Sequence, residues 1–397
     1  MCNCLSWSYS SSATTYASTR RRESNNTKSG RENMVKSIGI AKVTFLLVLF
    51  VSTGRAQSIF DVTKDGAKAN GPDINAVLAR LLLRFKFKAL SGAGKTTEDG
   101  GWVTFQRIQG FTLSGGGIFD GQGASSWGAC GNDYCKQLPI NMRFDFITNG
   151  LVQDVTSLNS KQFHVNVLGC KNVAFRRFTI TAPADSKNTD GIHIGRSSGI
   201  EISDSKIATG DDCISIGGGA QNVSITKVTC GPGHGISVGS LGQYEREEPV
   251  VGITVKGCTL TSTDNGMRIK TWPASYAGSA SNMHFEDLTM VNVSNPIIID
   301  QAYCPHNDCN AKHPSRVKIN NVSFKNIRGT SATPVAVKLA CSSGVPCDGV
   351  ELANIDLKYI GKEGHISSEC SNVKPKVIGV QSALACGSPT AAPSRKA

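Results

Sequence analysis

Seven nine-residue segments share one arrangement of apolar positions: 172–180, 199–207, 222–230, 252–260, 282–290, 316–324 and 349–357. Positions two, four and nine are apolar in all of them, and position seven is apolar in most. Their starts lie 27, 23, 30, 30, 34 and 33 residues apart. Apolar residues at every second position mark strands. A unit this short cannot bury an apolar face alone, so the repeats must stack. No interval carries a sustained helical period, which excludes leucine-rich and helical repeats. The pattern predicts an all-β chain folded as a right-handed parallel β-helix. A β-propeller, the alternative, needs longer intervals for four-stranded blades. Upstream, Asp73 caps a predicted short helix in which Ile74, Val77, Leu78, Leu81 and Leu82 fall at helical spacing, suited to plug the open end of the coil.

A second repeat follows the first within each interval, in Asp190–Ile194, Asp212–Ile216, His234–Val238, Asn265–Ile269 and Asn295–Ile299. Its polar first positions are 22, 22, 31 and 30 residues apart. Asp190, Asp212, His234 and Asn265 are therefore expected to stack along one sheet edge, with rungs about 4.8 Å apart. His193, Ser215, Ser237 and Arg268 form a parallel outward line three residues on, and the Ile, Met and Val residues between face inward.

Composition adds the compartment. Hydrophobic residues make up 39% of 397, which excludes a disordered chain. Met34 opens a signal peptide over 34–56, with an apolar run from Val43 to Val51 and small residues Gly54 and Ala56 before the cut. That run is too short to span a bilayer, which takes about 20 residues, so the mature form has no membrane anchor. Residues 1–33, rich in Ser, Thr and Arg, read as an over-extended gene start, with a transit peptide as the alternative, 57–387 as one domain, and 388–397 as a disordered tail. The first 56 residues hold eight basic and two acidic residues, so the net charge of +12 falls to +6 beyond them. A polyanionic partner fits, whether nucleic acid, an anionic membrane or an acidic polysaccharide.

Without Cys2 and Cys4, twelve cysteines remain. Close pairs are Cys130 with Cys135, Cys304 with Cys309 and Cys341 with Cys347, and disulfides fit them better than zinc because CxxC is missing and histidines are scattered. Cys213 with Cys230 and Cys370 with Cys386 are candidate longer pairs, leaving Cys170 and Cys258 as buried thiols. Asn222, Asn292 and Asn321 each open an Asn-Val-Ser sequon. Ala89–Thr96 matches a loose phosphate-binding loop, but Thr97–Gly101 follows it where a helix is needed, so nucleotide binding is rejected.

Asn188-Thr189-Asp190 and Gly210-Asp211-Asp212 put three carboxylates on neighbouring rungs. One Asp in a β-helix is a turn residue by default. Three at matched register, followed by Gly233-His234-Gly235 and Arg268-Ile269-Lys270, point to catalysis instead. Packed acids raise at least one pKa, so one carboxyl can donate a proton beside an ionised base. Arg268 and Lys270 suit a carboxylated substrate.

These four motifs, in this order, resemble the polygalacturonases of glycoside hydrolase family 28. The similarity runs from about Phe60 to Cys386, and segments 135–146, 160–170 and 264–273 resemble plant pollen-type exopolygalacturonases. The resemblance implies inverting hydrolysis of α-1,4-linked galacturonic acid in polygalacturonate (pectin), exo-acting from the non-reducing end, by a secreted cell-wall monomer. It implies that Asp211 is the general acid, that Asp190 and Asp212 position and deprotonate the attacking water, and that His234 tunes the acid. Arg268 and Lys270 would hold the sugar carboxylate, with Tyr303, Asn188 and His193 as further substrate contacts. No cofactor, metal or nucleic acid is implied. An endo-acting enzyme, a pectate lyase and a non-catalytic pectin-binding wall protein are the alternatives. Arg84 to Asp99 looks like a shortened replacement for early coil carried by relatives, which leaves stable folding in question.

Overall fold

One corner of each coil is set by an asparagine or glycine at the first position of a repeat. Asn172, Gly199, Asn222, Gly252, Asn282, Asn321 and Gly349 all have φ between 52° and 75°. This left-handed backbone is open to glycine and tolerated by asparagine, but costs most other side chains. The asparagines also bond along the stack: Asn321 Nδ2 donates to Asn282 Oδ1 at 2.7 Å, and Asn172 Nδ2 to Asn149 Oδ1 at 3.3 Å.

From these corners the chain winds as a right-handed parallel β-helix. The computed structural model describes residues 86–88, 100–127, 138–305, 309–362 and 364–387. Among them, one 10-stranded and one 17-stranded parallel sheet line the coil. The sequence repeats fall in register: Val173 pairs with Ile200, Ile200 with Val223, Val223 with Ile253 and Ile253 with Met283. The sixth repeat departs from the predicted alignment. Met283 pairs with Val322, and Val322 with Val350, so this repeat begins at Asn321 rather than Arg316. Val317, Ile319, Val322 and Phe324 are all buried in one 15-residue strand, Val317–Ser331, so positions two and four are apolar in both registers, and the observed one places Gly329 at position nine.

The second repeat supplies five strands of the 10-stranded sheet. Ile192, Ile214, Ile236, Met267, Ile297 and Val337 stack in register and are fully buried. Ile214→Ala is expected to cost about 2–5 kcal/mol, because its neighbours on both rungs are fixed and the cavity cannot collapse. Chemical denaturation measures this.

Cysteines behave as the spacing predicted. Cys213–Cys230, Cys304–Cys309, Cys341–Cys347 and Cys370–Cys386 are bonded, while Cys170 and Cys258 are buried free thiols. Burial pushes both free thiols up to about 11. The three sequon asparagines are exposed. The signal peptide, the capping helix at Asp73, the Cys130–Cys135 pair, the Ala89–Thr96 loop and the 388–397 tail lie outside the described residues. Of the shortened segment Arg84 to Asp99, the described part is the strand Lys86–Lys88, which pairs with Ile118–Asp120. No helix among the described residues is long and apolar enough to cross a membrane.

Candidate active site

The outward line three residues into the second repeat forms as predicted, with His193 pairing with Ser215, Ser215 with Ser237 and Ser237 with Arg268. The line above it needs one correction. Asp212 pairs with Gly235, not with His234, because Cys213 is an extra residue between Asp212 and Ile214. This bulge, tied to Cys230 by its disulfide, sets His234 beside Asp211 instead. The His234 amide donates to the Asp211 carbonyl at 2.8 Å, and imidazole Nδ1 lies 2.9 Å from Asp211 Oδ1. Gly233 makes the approach possible. Its φ is 137°, and a Cβ there would sit 2.6 Å from the Asp211 carbonyl oxygen.

Three carboxylates thus converge in three different environments. Asp212 is 1% exposed. Its Oδ1 accepts from Ser237 Oγ and Arg268 at 2.8 Å each, and its Oδ2 from Lys270 Nζ at 2.8 Å. Burial opposes its charge, but Lys270 and Arg268 outweigh burial and hold this carboxyl well below the usual carboxylate range. Asp190, also buried, accepts from Ser215 Oγ at 2.9 Å. Burial first, then Asp211 and Asp212, push its carboxyl well above that range. Asp211 is the accessible one: its side chain is 19% exposed against 2% for Asp212. Asp211 Oδ1 also accepts the Asp212 amide at 2.7 Å.

The hydrogen bond to Asp211 holds His234 above its ordinary value, against burial. Its Nε2 lies 3.5 Å from Asp264, a neighbour that sequence reasoning missed. His193 is half-buried against Phe163, with ring centroids 5.3 Å apart. Burial, then Lys270, pulls its imidazole down to about 4, so the ring is neutral near pH 7.

Arg268 and Lys270 were expected to stand free on the outside. Lys270 is instead 7% exposed, and both cations are committed to Asp212, two rungs away along the ladder, because their long side chains reach back over its carboxylate. Tyr303 joins them, with its ring centroid 5.2 Å from Lys270 Nζ and 5.9 Å from Arg268 Cζ. Trp272 meets that ring edge-on at 5.6 Å. Asn188 sits in the turn before Asp190 with φ 53°. Thr189 and Ser186 bond beneath it at 2.7 Å, and Thr189 Oγ1 accepts the Gly210 amide, joining the two acidic turns.

Asp211, Asp212 and His234 bring ligand-type atoms within 4.8 Å of one another. A cation there would meet the two positive charges already on Asp212. The arrangement suits proton transfer better than metal binding.

Comparison with known proteins agrees with this chemistry. The family description "Glycosyl hydrolases family 28" matches residues 54–386. An exopolygalacturonase of Oenothera organensis is 57% identical over 290 residues, covering 72% of this chain and 80% of its own. A polygalacturonase of Nicotiana tabacum is 46% identical over 392 residues, covering 89% and 99%. Among solved structures, a polygalacturonase from Erwinia carotovora superposes with a TM-score of 0.59 at 26% identity, covering 73% of this chain and 81% of its own.

Proposed function

The chain belongs to family 28 of the glycosyl hydrolases, and from that membership we infer that its line of carboxylates hydrolyses α-1,4-galacturonosyl linkages of polygalacturonate with inversion, releasing sugar from the non-reducing end. The observation that carries this reading is the trio of carboxylates in unlike environments, with two cations on the same ladder. Inversion needs one acid to protonate the leaving oxygen while a base on the other face takes a proton from water.

Asp211 is assigned as the acid, since it is the carboxyl that a glycosidic oxygen can reach. It and His234 share a proton across a 2.9 Å bond, either as imidazolium and carboxylate or as imidazole and acid. Asp190 is assigned as the base: its raised pKa makes the ionised form a stronger proton acceptor. Asp212, its charge held by Lys270, Arg268 and Ser237, orients the water and takes no proton. The face of Arg268 and Lys270 away from Asp212, with Tyr303 against it, is assigned to the sugar carboxylate. Asn188 and His193 are assigned to ring hydroxyls; for His193 this leaves Nε2, because Nδ1 faces Ser215.

Two limbs of the pH profile follow. The base works only when ionised, so turnover is expected to fall as pH drops through the raised Asp190 value, above where an ordinary Asp titrates. The shared proton is lost as pH rises through the raised His234 value, and turnover is expected to fall there too. His234→Gln should move that upper limb to lower pH in a kcat–pH profile, because the imidazole no longer helps to hold the shared proton.

The decisive assay is one digest of polygalacturonate resolved by product length, with the anomer followed by NMR. Monogalacturonate of inverted configuration from the first minutes is expected, undiminished by chelators. A ladder of oligomers would replace exo by endo action. An unsaturated, ultraviolet-absorbing product that needs calcium would establish a lyase instead.

The disulfides among the described residues support an oxidising destination, and with the apolar run after Met34 they support secretion into the wall. N-terminal sequencing of exported protein is expected to begin near Gln57. A start at Met1 would overturn that.

A further inference from the structure

Two of the three carboxylates are reached by the same device, repeated one rung apart. Ser215 Oγ donates to Asp190 Oδ2 at 2.9 Å, and Ser237 Oγ donates to Asp212 Oδ1 at 2.8 Å. In both cases the serine lies 25 residues after its carboxylate and one rung along the outward ladder. A hydroxyl has one proton to give, so each serine that donates to a carboxylate must accept from its other neighbour. For Ser237 that neighbour is Arg268, whose Nε–H donates at 2.9 Å. For Ser215 it is His193, whose Nδ1 lies at 2.8 Å. With Asp190 ionised, the imidazole must therefore carry its proton on Nδ1.

The two relays differ in charge and in reach: Arg268 also donates directly to Asp212, whereas His193 is linked to Asp190 through Ser215. One runs from guanidinium through Ser237 to Asp212, the other from imidazole through Ser215 to Asp190. The charged groups acting on Asp190 are Asp211 and Asp212 from the next rung and Lys270 from two rungs beyond that, while His193 beside it is uncharged near neutral pH.

We propose that Ser215, oriented by His193, is a positioning residue that fixes the Asp190 carboxylate for water activation, and that the neutral donor at this rung separates the base from the charge anchor Asp212. The proposal rests on the assignment of Asp190 as base. A hydrogen bond to an ionised carboxylate favours the ionised form, so removing it narrows the pH range in which Asp190 is ionised and frees the carboxylate to turn from the water, without removing a substrate contact.

Ser215→Ala is expected to lower kcat about tenfold or more with KM little changed. Its acid limb should move to higher pH, because ionised Asp190 loses a donor. A purely structural serine would change melting temperature and yield but leave the limb in place. His193 gives a second route should Ser215→Ala fail to fold. Both His193→Asn and His193→Ala lose the Nε2 contact to substrate, so the pH limb is what separates them: His193→Asn keeps an N–H near the Nδ1 position and is expected to keep the wild-type limb, whereas His193→Ala should shift it to higher pH. An identical limb in these two variants, or a folded Ser215→Ala with wild-type kcat and limb, overturns the relay. Asp190→Asn separates the two levels: if it keeps wild-type turnover, the base assignment fails, and if it is inactive while Ser215→Ala is normal, the relay alone fails.

Discussion

Replacing Asp211 by Asn is expected to lower turnover on polygalacturonate by about 10²–10⁴-fold with the fold intact. Asn keeps the size of the side chain and an oxygen that can accept the Asp212 amide and the His234 Nδ1–H, contacts now made at 2.7 and 2.9 Å. What it lacks is a proton for the leaving glycosidic oxygen. A turn-forming Asp would show the opposite pattern, since Asn serves such turns equally well. Circular dichroism and oligogalacturonate binding should match wild type while kcat collapses. Asp190→Asn and Asp212→Asn should also be severe, and either combined with Asp211→Asn far from additive, since one step needs all three. Wild-type turnover in folded Asp211→Asn would remove this residue from the chemistry.

The coil itself was legible because period-two alternation and a recurring interval both follow from stacking, and neither depends on what the site does. Position one carried a sharper signal than the apolar positions. Six of the seven segments begin with Asn or Gly, which a left-handed corner favours, and the exception, Arg316, marked the misplaced repeat. The real start, Asn321, follows the same preference. Apolar alternation is degenerate in a long buried strand, whereas this corner holds Asn or Gly in all seven repeats and so marks register.

At the site, ladder spacing placed the outward line and the approximate position of the acids. It could not anticipate the bulge at Cys213, since an extra residue in a strand changes no apolar count until its partner is known. That bulge moves His234 from Asp212 to Asp211, the pairing on which the acid assignment depends. Ser215 and Ser237 were visible on the outward line, but their role required knowing which rung each hydroxyl faces. The 25-residue offset from each Asp to its Ser was the available signal.

Lys270→Met is the second large effect, and it bears on stability as well as binding. The ammonium is nearly buried and lies 2.8 Å from Asp212 Oδ2, while Arg268 and Ser237 serve the other oxygen. Met preserves length and leaves Oδ2 buried with its cation gone. Breaking a buried pair from one side costs about 3–5 kcal/mol, because the remaining charge is stranded. A fall in denaturation midpoint is therefore expected alongside weaker capture of galacturonate, where a solvent-exposed lysine would have affected capture alone. Asp212 should also titrate higher without its strongest attracting charge. The stability costs of Lys270→Met and Asp212→Asn should not add, since both break the same ion pair, and the double variant should recover no turnover. Such coupling is what residues in direct contact show in a double-mutant cycle. Unchanged stability in Lys270→Met would mean that Asp212 does not depend on this cation, and unchanged kinetics on polygalacturonate would mean that the sugar carboxylate is held elsewhere.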